Sequence, residues 1–188
     1  VFEPFASVGT DTIALALRYK TVLSIEYDGK KFGALKQNVR NAGFDNSQVV
    51  VHNANTVDVL ADEREFSAAF GDDKSPRIAY VDAPWGGPDY FKKKSVRIEL
   101  PGSDAEHKSL GWIVANMPKT ISAVVLKLPP NFDATTFMLD CPTFVLHACK
   151  VVGGHFRPDV ELCLTRRLLT RQVKGVIFVV LHRRKPAA

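Results

Sequence analysis

The chain has 188 residues, 46% of them apolar, and its 25 basic and 20 acidic residues leave a net charge of +5. This length suits one domain with a single core, and no apolar run approaches the roughly 18 residues of a membrane span. No signal-peptide pattern opens the sequence, so we expect an intracellular protein, nuclear or cytoplasmic, with a viral origin also compatible. Three cysteines without paired spacing favour neither disulfides nor a bound metal.

The positive charge is concentrated toward the end of the chain. From Lys150 onward there are nine lysines and arginines against Asp159 and Glu161. A basic stretch of this kind can bind a polyanion, because each neutralised phosphate releases counterions. A solvated basic face explains the same charges, so charge alone leaves RNA binding open.

Strand and helix patterns alternate in the first half of the chain. An apolar strand in VFEPFASVG (1–9) runs into a Ser/Gly turn, and TDTIALALRYK (10–20) predicts the first helix. A second strand, TVLSIEYD (21–28), precedes a helix in GKKFGALKQNVRNAGF (29–44) that Gly43 ends. A third strand follows in QVVVHNAN (48–55).

The alternation continues after a polar loop in FGDDKSPR (70–77). Strands are predicted in IAYVDAP (78–84) and ISAVVLKLP (121–129), with a closing pair in VELCLTRRL (160–168) and GVIFVVLHRR (175–184). A long loop to about Asp104 leads to a predicted helix in AEHKSLGWIVANM (105–117), and a short helix is predicted in DATTFMLD (133–140). This alternation predicts βαβ units and a parallel sheet.

The first loop and the end of the second strand predict a cofactor site. In doubly wound sheets, ligands lie beyond the carboxyl ends of the strands, and an acid that ends the second strand can bind ribose hydroxyls. Glu26 occupies that position, and Gly9 in the loop EPFASVGT permits close backbone approach. The loop lacks the G-x-G-x-x-G of dinucleotide sites, which disfavours a pyrophosphate cofactor.

This arrangement resembles the S-adenosylmethionine-dependent methyltransferases, whose first motif is an acid, a hydrophobic residue and a short glycine-containing loop. On that pattern Glu3 is the acid and Gly9 the retained glycine, while Ser7 stands where glycine is usual. Thr12 begins the helix, and Asn55 ends the third strand, where the family commonly has an acid near adenine. The resemblance implies S-adenosylmethionine as the cofactor. Its expected contacts are Glu3, Phe5, Ala6, Val8, Gly9, Thr12, Glu26, Tyr27, Asn55 and Asp82.

The segment DAPW, from Asp82 to Trp85, is similar to a motif that amine methyltransferases carry after strand four. A conjugated exocyclic amine is a poor nucleophile, so oxygen acceptors must hold its hydrogens and orient its lone pair toward the methyl group. The Asp82 carboxylate and the carbonyls near Pro84 can do this, and Pro84 also stiffens the loop. Trp85 supplies a large π face, which attracts a positively charged base such as 7-methylguanine.

The longer string PWGGPDY, from Pro84 to Tyr90, resembles the signature of the trimethylguanosine synthase family, which methylates N2 of 7-methylguanosine in RNA caps. The segments VGTDTIALAL, VLSIEYD, NVRNAGF and LKLPPNFDA extend the resemblance over most of residues 3–135. It implies a Rossmann-like α/β methyltransferase fold, with a mostly parallel seven-stranded sheet, helices on both faces and an antiparallel closing strand pair. We expect residues 1–188 to form a single methyltransferase domain. The family also uses residues before its first core strand, so we expect an N-terminal extension to be missing from this sequence.

The resemblance also assigns the substrate end of the site. Asp82, Pro84 and Trp85 are the expected catalytic residues: Trp85 stacks on the cap guanine, and the segment from Asp82 to Pro84 positions N2. The residues expected to contact capped RNA are Trp85, Gly86, Pro88, Lys92, Lys127 and Asn131. The lysine run FKKKSVR (91–97) follows the motif, so it is expected either at the cap triphosphate or as a solvated face.

Three departures from the family pattern leave alternatives open. Ser7 replaces a loop glycine, Asn55 replaces an acid, and Asp82-Ala83 stands where Ser-Pro is usual. The first hypothesis is a cap guanosine-N2 methyltransferase, and the second is an inactive methyltransferase fold that binds cap or RNA. A third is an amino-methyltransferase that acts on another nucleic-acid base. Cofactor affinity separates the first two, and preference for a 7-methylated cap excludes the third.

Overall fold

The computed structural model describes residues 1–62, 64–66, 77–104, 106–152 and 176–184. The elements in chain order are β1 Phe2–Glu3, α1 Thr10–Ala16, β2 Val22–Glu26, α2 Gly29–Asn41, β3 Val49–Asn53, α3 Thr56–Ala61, β4 Ile78–Val81, a 3-10 turn Pro88–Lys92, β5 Glu99–Pro101, β6 His107–Ser109, α4 Leu110–Ala115, β7 Ala123–Leu128, α5 Ala134–Asp140, β8 Phe144–Val152 and β9 Val176–Arg183. Within these ranges, no helix has the length and apolar character needed to cross a membrane.

Seven strands form one sheet in the order β3-β2-β1-β4-β7-β9-β8. The strands from β3 to β7 in that order run parallel, whereas β9 runs antiparallel to both β7 and β8. The fold is therefore the expected mostly parallel, Rossmann-like sheet with an antiparallel closing pair. Because parallel strands end at the same edge of a sheet, the segments that follow β1, β2, β3, β4 and β7 meet there.

The core lies on both faces of the sheet, as the alternation along β2 shows. Leu23 and Ile25 belong to a large buried cluster that includes residues of α3 and α4, while Val22 belongs to a second cluster with residues of α1 and α2. Successive side chains of a strand point to opposite faces, so one strand supplies both clusters. The same alternation places Ser24 on the face of α1, where its hydroxyl donates to Glu3, which also accepts the hydroxyl of Thr12.

Helix α2 begins and ends where its sequence predicts. The Asp28 carboxylate accepts hydrogen bonds from the backbone N–H groups of Lys30 and Lys31, which caps the first turn. Gly43 adopts a φ of +84° directly after the last turn, a conformation that glycine adopts at little cost.

The helix predicted over residues 105–117 is wrong in its first part. His107–Ser109 instead form β6, which pairs with β5 in a two-stranded antiparallel hairpin. The helix begins at Leu110 because the Ser109 hydroxyl accepts the N–H of Trp112 and caps the first turn. Strand β5 lies in the segment that the sequence indicated only as a long loop.

The closing pair differs from the prediction in its first strand. GVIFVVLHRR contains β9, as predicted, but its partner in the sheet is β8, Phe144–Val152. The pairing has an irregularity between Leu146 and Ala148. The predicted strand VELCLTRRL (160–168) and the predicted loop over residues 70–76 lie outside the described residues.

Candidate active site

A cavity of about 860 Å³ lies beyond the carboxyl ends of the parallel strands. Its walls come from the loop after β1, the ends of β2 and β4, the start of α3, the β5 strand and Lys127 of β7. The sequence-predicted site residues on its wall are Phe5, Glu26, Tyr27, Asn55, Asp82, Pro84, Trp85, Pro88 and Lys127. The fold thus brings predicted cofactor and substrate residues to one cavity. The predicted residues that do not line it are Glu3, Ala6, Val8, Gly9, Thr12, Gly86, Lys92 and Asn131.

The first loop keeps the backbone of a glycine-rich loop although it contains only one glycine. Ser7 has a φ of +50°, the left-handed conformation that the family's usual glycine would adopt more easily. Gly9 has a φ of +94°, and a Cβ there would lie 2.6 Å from Cδ1 of Leu35 in α2. Glycine is therefore required at position 9 because the loop backbone packs closely against helix α2. Val8 is partly exposed beside it, and the buried Ala6 donates its N–H to the carbonyl of Ile25.

Glu26 ends β2 with both carboxylate oxygens directed at backbone N–H groups. Oε2 accepts from Ser7 at 2.8 Å, and Oε1 accepts from Asp28 at 2.7 Å. Asn53 of β3 donates its side-chain amide to the carbonyl oxygens of Glu26 and Tyr27, at 2.7 and 3.1 Å. Each carboxylate oxygen can accept further hydrogen bonds, so this fixed carboxylate on the cavity wall suits a pair of hydroxyl donors.

Glu3 lies under the first loop and not on the cavity wall. It is 2% exposed, and its Oε2 accepts the hydroxyls of Thr12 and Ser24 at 2.5 and 2.9 Å. Burial raises the pKa of Glu3 to about 7, with the charges of Asp11 and Asp82 adding to the rise and the two hydroxyls opposing it. Glu3 therefore joins β1, β2 and α1 beneath the site.

Asn55 lies on the cavity wall as the N-cap of α3, a helix that the sequence reasoning missed. Its Oδ1 accepts the N–H of Val57 at 2.9 Å, and its Nδ2 donates to the carbonyl of Pro101 in β5 at 2.9 Å. An aspartate could make the first contact but could not donate to Pro101. The asparagine thus connects the end of β3 to the hairpin wall.

Trp85 is half-buried on the cavity wall. The ring of Tyr90 meets it edge to face, with centroids 5.1 Å apart and an interplanar angle of 81°. The indole Nε1 is buried and has no hydrogen-bond partner among the described residues. A buried N–H without a partner costs about 1–3 kcal/mol, so this group favours a bound acceptor.

The backbone turn after Trp85 depends on two glycines and on Asn131. Gly86 and Gly87 have φ values of +88° and +84°, which L side chains rarely adopt. Asn131, which follows β7, donates Nδ2 to the carbonyls of Tyr90 and Lys93 at 2.9 and 2.8 Å. Asn131 therefore fixes the 3-10 turn through these two hydrogen bonds.

The basic run after the motif divides into paired and unpaired charges. Lys92 forms an ion pair with Asp89 at 2.7 Å, and Arg97 pairs with Asp133 at 3.1 Å. Lys93 and Lys94 are exposed and form no ion pair within the described ranges. A Cβ on Gly86 would lie 3.7 Å from Lys93 Nζ, so this ammonium group lies beside the residue that follows Trp85.

Asp82, on the cavity wall, is the centre of a polar cluster that also contains Lys127, Asp11 and Tyr80. Lys127 Nζ donates to Asp82 Oδ2 at 2.6 Å and lies 3.5 Å from Oδ2 of Asp11, which also accepts the hydroxyl of Tyr80 at 3.2 Å. Burial raises the pKa of Asp82, and the charge of Asp11 adds to it while Lys127 opposes it. Burial alone would lower the pKa of Lys127, but its contacts with Asp82 and Asp11 outweigh that effect and leave it raised. Sequence reasoning missed Asp11 and Tyr80.

The sheet order, the antiparallel β9 and the cavity beside an acid that ends β2 define the class: the S-adenosylmethionine-dependent methyltransferases of Rossmann-like fold. Streptococcus pneumoniae Sp1610, a proposed tRNA (m1A22) methyltransferase, superposes with a TM-score of 0.57 at 14% identity, covering 100% of this chain and 65% of that one. TrmK of M. capricolum, solved with S-adenosylhomocysteine, gives 0.56 at 8% identity, covering 98% and 62%. At these identities the similarity shows the fold.

The family follows from the sequence comparison. The family model for RNA cap guanine-N2 methyltransferase matches residues 1–168. This chain therefore belongs to the RNA cap guanine-N2 methyltransferase family, which confirms the resemblance seen in PWGGPDY. It is also 26% identical over 147 residues to protein L320 of Acanthamoeba polyphaga mimivirus, covering 78% of this chain and 52% of that protein. The chain thus spans about half the length of this curated relative.

Proposed function

We propose that this protein transfers a methyl group from S-adenosylmethionine to the exocyclic N2 of 7-methylguanosine in an RNA cap. The observation that carries the proposal is the placement of Asp82, Trp85 and Glu26 on one cavity wall. A hydrogen-bond acceptor, an aromatic platform and a ribose-type acid are the groups that such a reaction needs. The proposal treats residues 1–188 as a single methyltransferase domain and capped RNA as its partner.

The Glu26 side of the cavity would hold the cofactor. The fixed carboxylate can accept both ribose hydroxyls, since within the described part of the chain each of its oxygens accepts one hydrogen bond. Phe5, Tyr27 and Asn55 lie on the same wall and would contact the remainder of the nucleoside. Bound here, S-adenosylmethionine would supply an electrophilic methyl group on a positively charged sulfur. Ala6, Val8 and Gly9 would shape this side through the loop backbone.

The Trp85 side would hold the base. Cation-π attraction to a 7-methylated guanine contributes up to about 2 kcal/mol when the ring is desolvated. The Nε1 of Trp85, which has no partner among the described residues, offers a donor for an acceptor on the substrate, and the Tyr90 ring packs against the indole. Binding of the base between this wall and the cofactor would also exclude water from the reacting atoms.

Asp82 would hold the reacting amine. An ionised Asp82 accepts an N–H of N2 and orients the nitrogen lone pair toward the methyl group, so the carbon–sulfur bond breaks as the nitrogen–carbon bond forms. The amine becomes acidic as it gains the methyl group, and its proton leaves to solvent or to Asp82. Pro84 would fix the adjacent carbonyls in the same orientation.

The exposed lysines beside the motif would bind the cap triphosphate. Lys93 lies beside Gly86, next to the base platform, and Lys94 follows it on the surface. Lys92, which is paired with Asp89 in the protein alone, would have to exchange that partner for a phosphate. Gly86 and Pro88 would then contact the substrate through the turn that they form.

Calorimetry separates the open alternatives. Full-length protein is titrated with S-adenosylhomocysteine and then with 7-methylated and unmethylated dinucleotide caps, for wild type, Trp85→Ala and the control Trp112→Phe. Binding of both ligands, with the methylated-cap preference lost only in Trp85→Ala, supports the proposal. Cap binding without cofactor binding would instead identify an inactive cap-binding module. Equal binding of both caps would favour an enzyme that acts on another base.

A further inference from the structure

We propose that Lys127 is a positioning residue that joins the acceptor carboxylate Asp82 to helix α1 through Asp11, and that it acts on the reaction without contacting the substrate. This inference rests on the proposed function, because it assigns Asp82 its work on N2. It changes the expectation for Lys127, which the family resemblance placed among the cap contacts.

The contacts of Lys127 connect three elements of the fold. Lys127 belongs to β7 and Asp82 follows β4, and these strands are parallel neighbours with Val81 in register with Leu126. The next residue pair along the strands is therefore Asp82 and Lys127, whose charged atoms are 2.6 Å apart. Asp11, in the first turn of α1, is 3.5 Å from the same ammonium group.

Partial burial strengthens the ion pairs that Lys127 forms with Asp82 and Asp11. The side chains of Lys127 and Asp82 are each 27% exposed, and that of Asp11 is 32% exposed. The carboxylates of Asp82 and Asp11 repel each other, and the ammonium group between them makes their joint ionisation favourable. An ammonium group already shared by two carboxylates is poorly placed to contact a cap phosphate as well.

The charged and titratable groups around Asp82 come from each neighbouring element. They are Lys127 on β7, Asp11 on α1, Tyr80 on β4 and Glu3 on β1. Lys127 is the only cation in this set, while Asp11 raises the pKa of Asp82. Removal of Lys127 and removal of the Asp11 charge should therefore affect the ionisation of Asp82 in opposite directions.

The test is the pH profile of single-turnover methyl transfer to a 7-methylated dinucleotide cap, with full-length protein. Lys127→Met should shift the acidic limb of the profile to higher pH by about 1 to 3 units. Activity that is lost near neutrality should then return at higher pH. Lys127→Arg should restore a limb close to that of wild type. Asp11→Asn, which keeps an acceptor for Tyr80, should move the limb downward. The charge-matched control is Lys20→Met, because Lys20 is exposed and precedes β2, at the amino ends of the parallel strands.

Each outcome decides the inference. A Lys127→Met profile that superposes on wild type overturns it, as does an Asp11→Asn profile that moves upward. If Lys127→Met fails to fold, the Asp11→Asn profile decides, and an unshifted limb there overturns the inference. A wild-type protein that transfers no methyl to the cap refutes the proposed function itself, which is a different result from an active enzyme indifferent to Lys127.

Discussion

Glu26 accepts the backbone N–H of Ser7 at 2.8 Å, so the acid that ends β2 holds the loop that follows β1. Ser7 adopts its left-handed conformation at the point where this hydrogen bond forms. The contact explains how the loop keeps a glycine-like backbone without the usual glycine. Loop geometry and the proposed ribose contact therefore depend on one carboxylate.

Glu26→Gln should weaken S-adenosylhomocysteine binding about tenfold or more. Hydrogen bonds to a charged group contribute about 1.5–3 kcal/mol, and the amide nitrogen of glutamine would face a backbone donor in place of an acceptor. Calorimetric titration measures the effect. Glu99→Gln, at an exposed position of β5, is the control and should bind like wild type. Equal affinities for the two variants would show that Glu26 does not bind the cofactor.

Glu3→Gln should alter how stability depends on pH. The folded-state pKa of Glu3 is raised to about 7 from the ordinary 4.5, so the folded protein holds a proton that the unfolded chain has released. The protonated Glu3 contributes fully to the free energy of unfolding below the ordinary pKa. This contribution falls by about 1.4 kcal/mol per pH unit as the pH rises toward 7. Denaturant unfolding across that range should show the wild type losing stability relative to Glu3→Gln. Parallel curves for the two proteins would contradict the raised pKa.

Gly9→Ala and Gly33→Ala should change stability in opposite directions. A Cβ at Gly9 meets Leu35 at 2.6 Å in a backbone of positive φ, so we expect a loss of about 2 kcal/mol or more. Gly33 lies inside α2 with no atom within 4 Å of an added Cβ, so alanine there should gain up to about 1 kcal/mol. Thermal unfolding compares the two. A tolerated Gly9→Ala would show that the loop can move away from α2.

Much of this fold was predictable because it follows from local patterns. Gly43 marks the end of α2, and short apolar runs mark β2 and β7. Strand β8 was missed because its place beside β9 depends on contacts between distant parts of the chain. His107–Ser109 were assigned to a helix because the helical pattern of α4 was extended too far, past the capping Ser109.

The site was predictable where one residue lies at a strand end, as Glu26 and Asp82 do. Asp11 could not be found in this way, because its proximity to Lys127 exists only after α1 packs beside β4 and β7. Asn131 shows the same limit, since its sequence position after β7 did not reveal that its amide donates to two backbone carbonyls of the distant segment 90–93. Those contacts are properties of the folded loop.

Lys93→Ala should reduce the salt dependence of capped-RNA binding. For single-stranded RNA, removing one lysine–phosphate interaction lowers the steepness of log affinity against log salt concentration by about 0.7. Lys92→Ala should have a smaller effect, because Lys92 must first leave Asp89. Lys20→Ala, at the amino ends of the parallel strands, is the control. Unchanged slopes for Lys93→Ala would show that this part of the basic run is a solvated face.

The most direct test of the central claim is mass spectrometry of the methylated nucleoside. Full-length protein, S-adenosylmethionine and a short RNA with a 7-methylguanosine cap are incubated, and the digested product is compared with standards. We expect methyl addition at N2 of the cap guanosine, absent with an unmethylated cap and strongly reduced in Asp82→Asn. Methylation of an internal base, or none in protein that binds both ligands, would contradict the assignment.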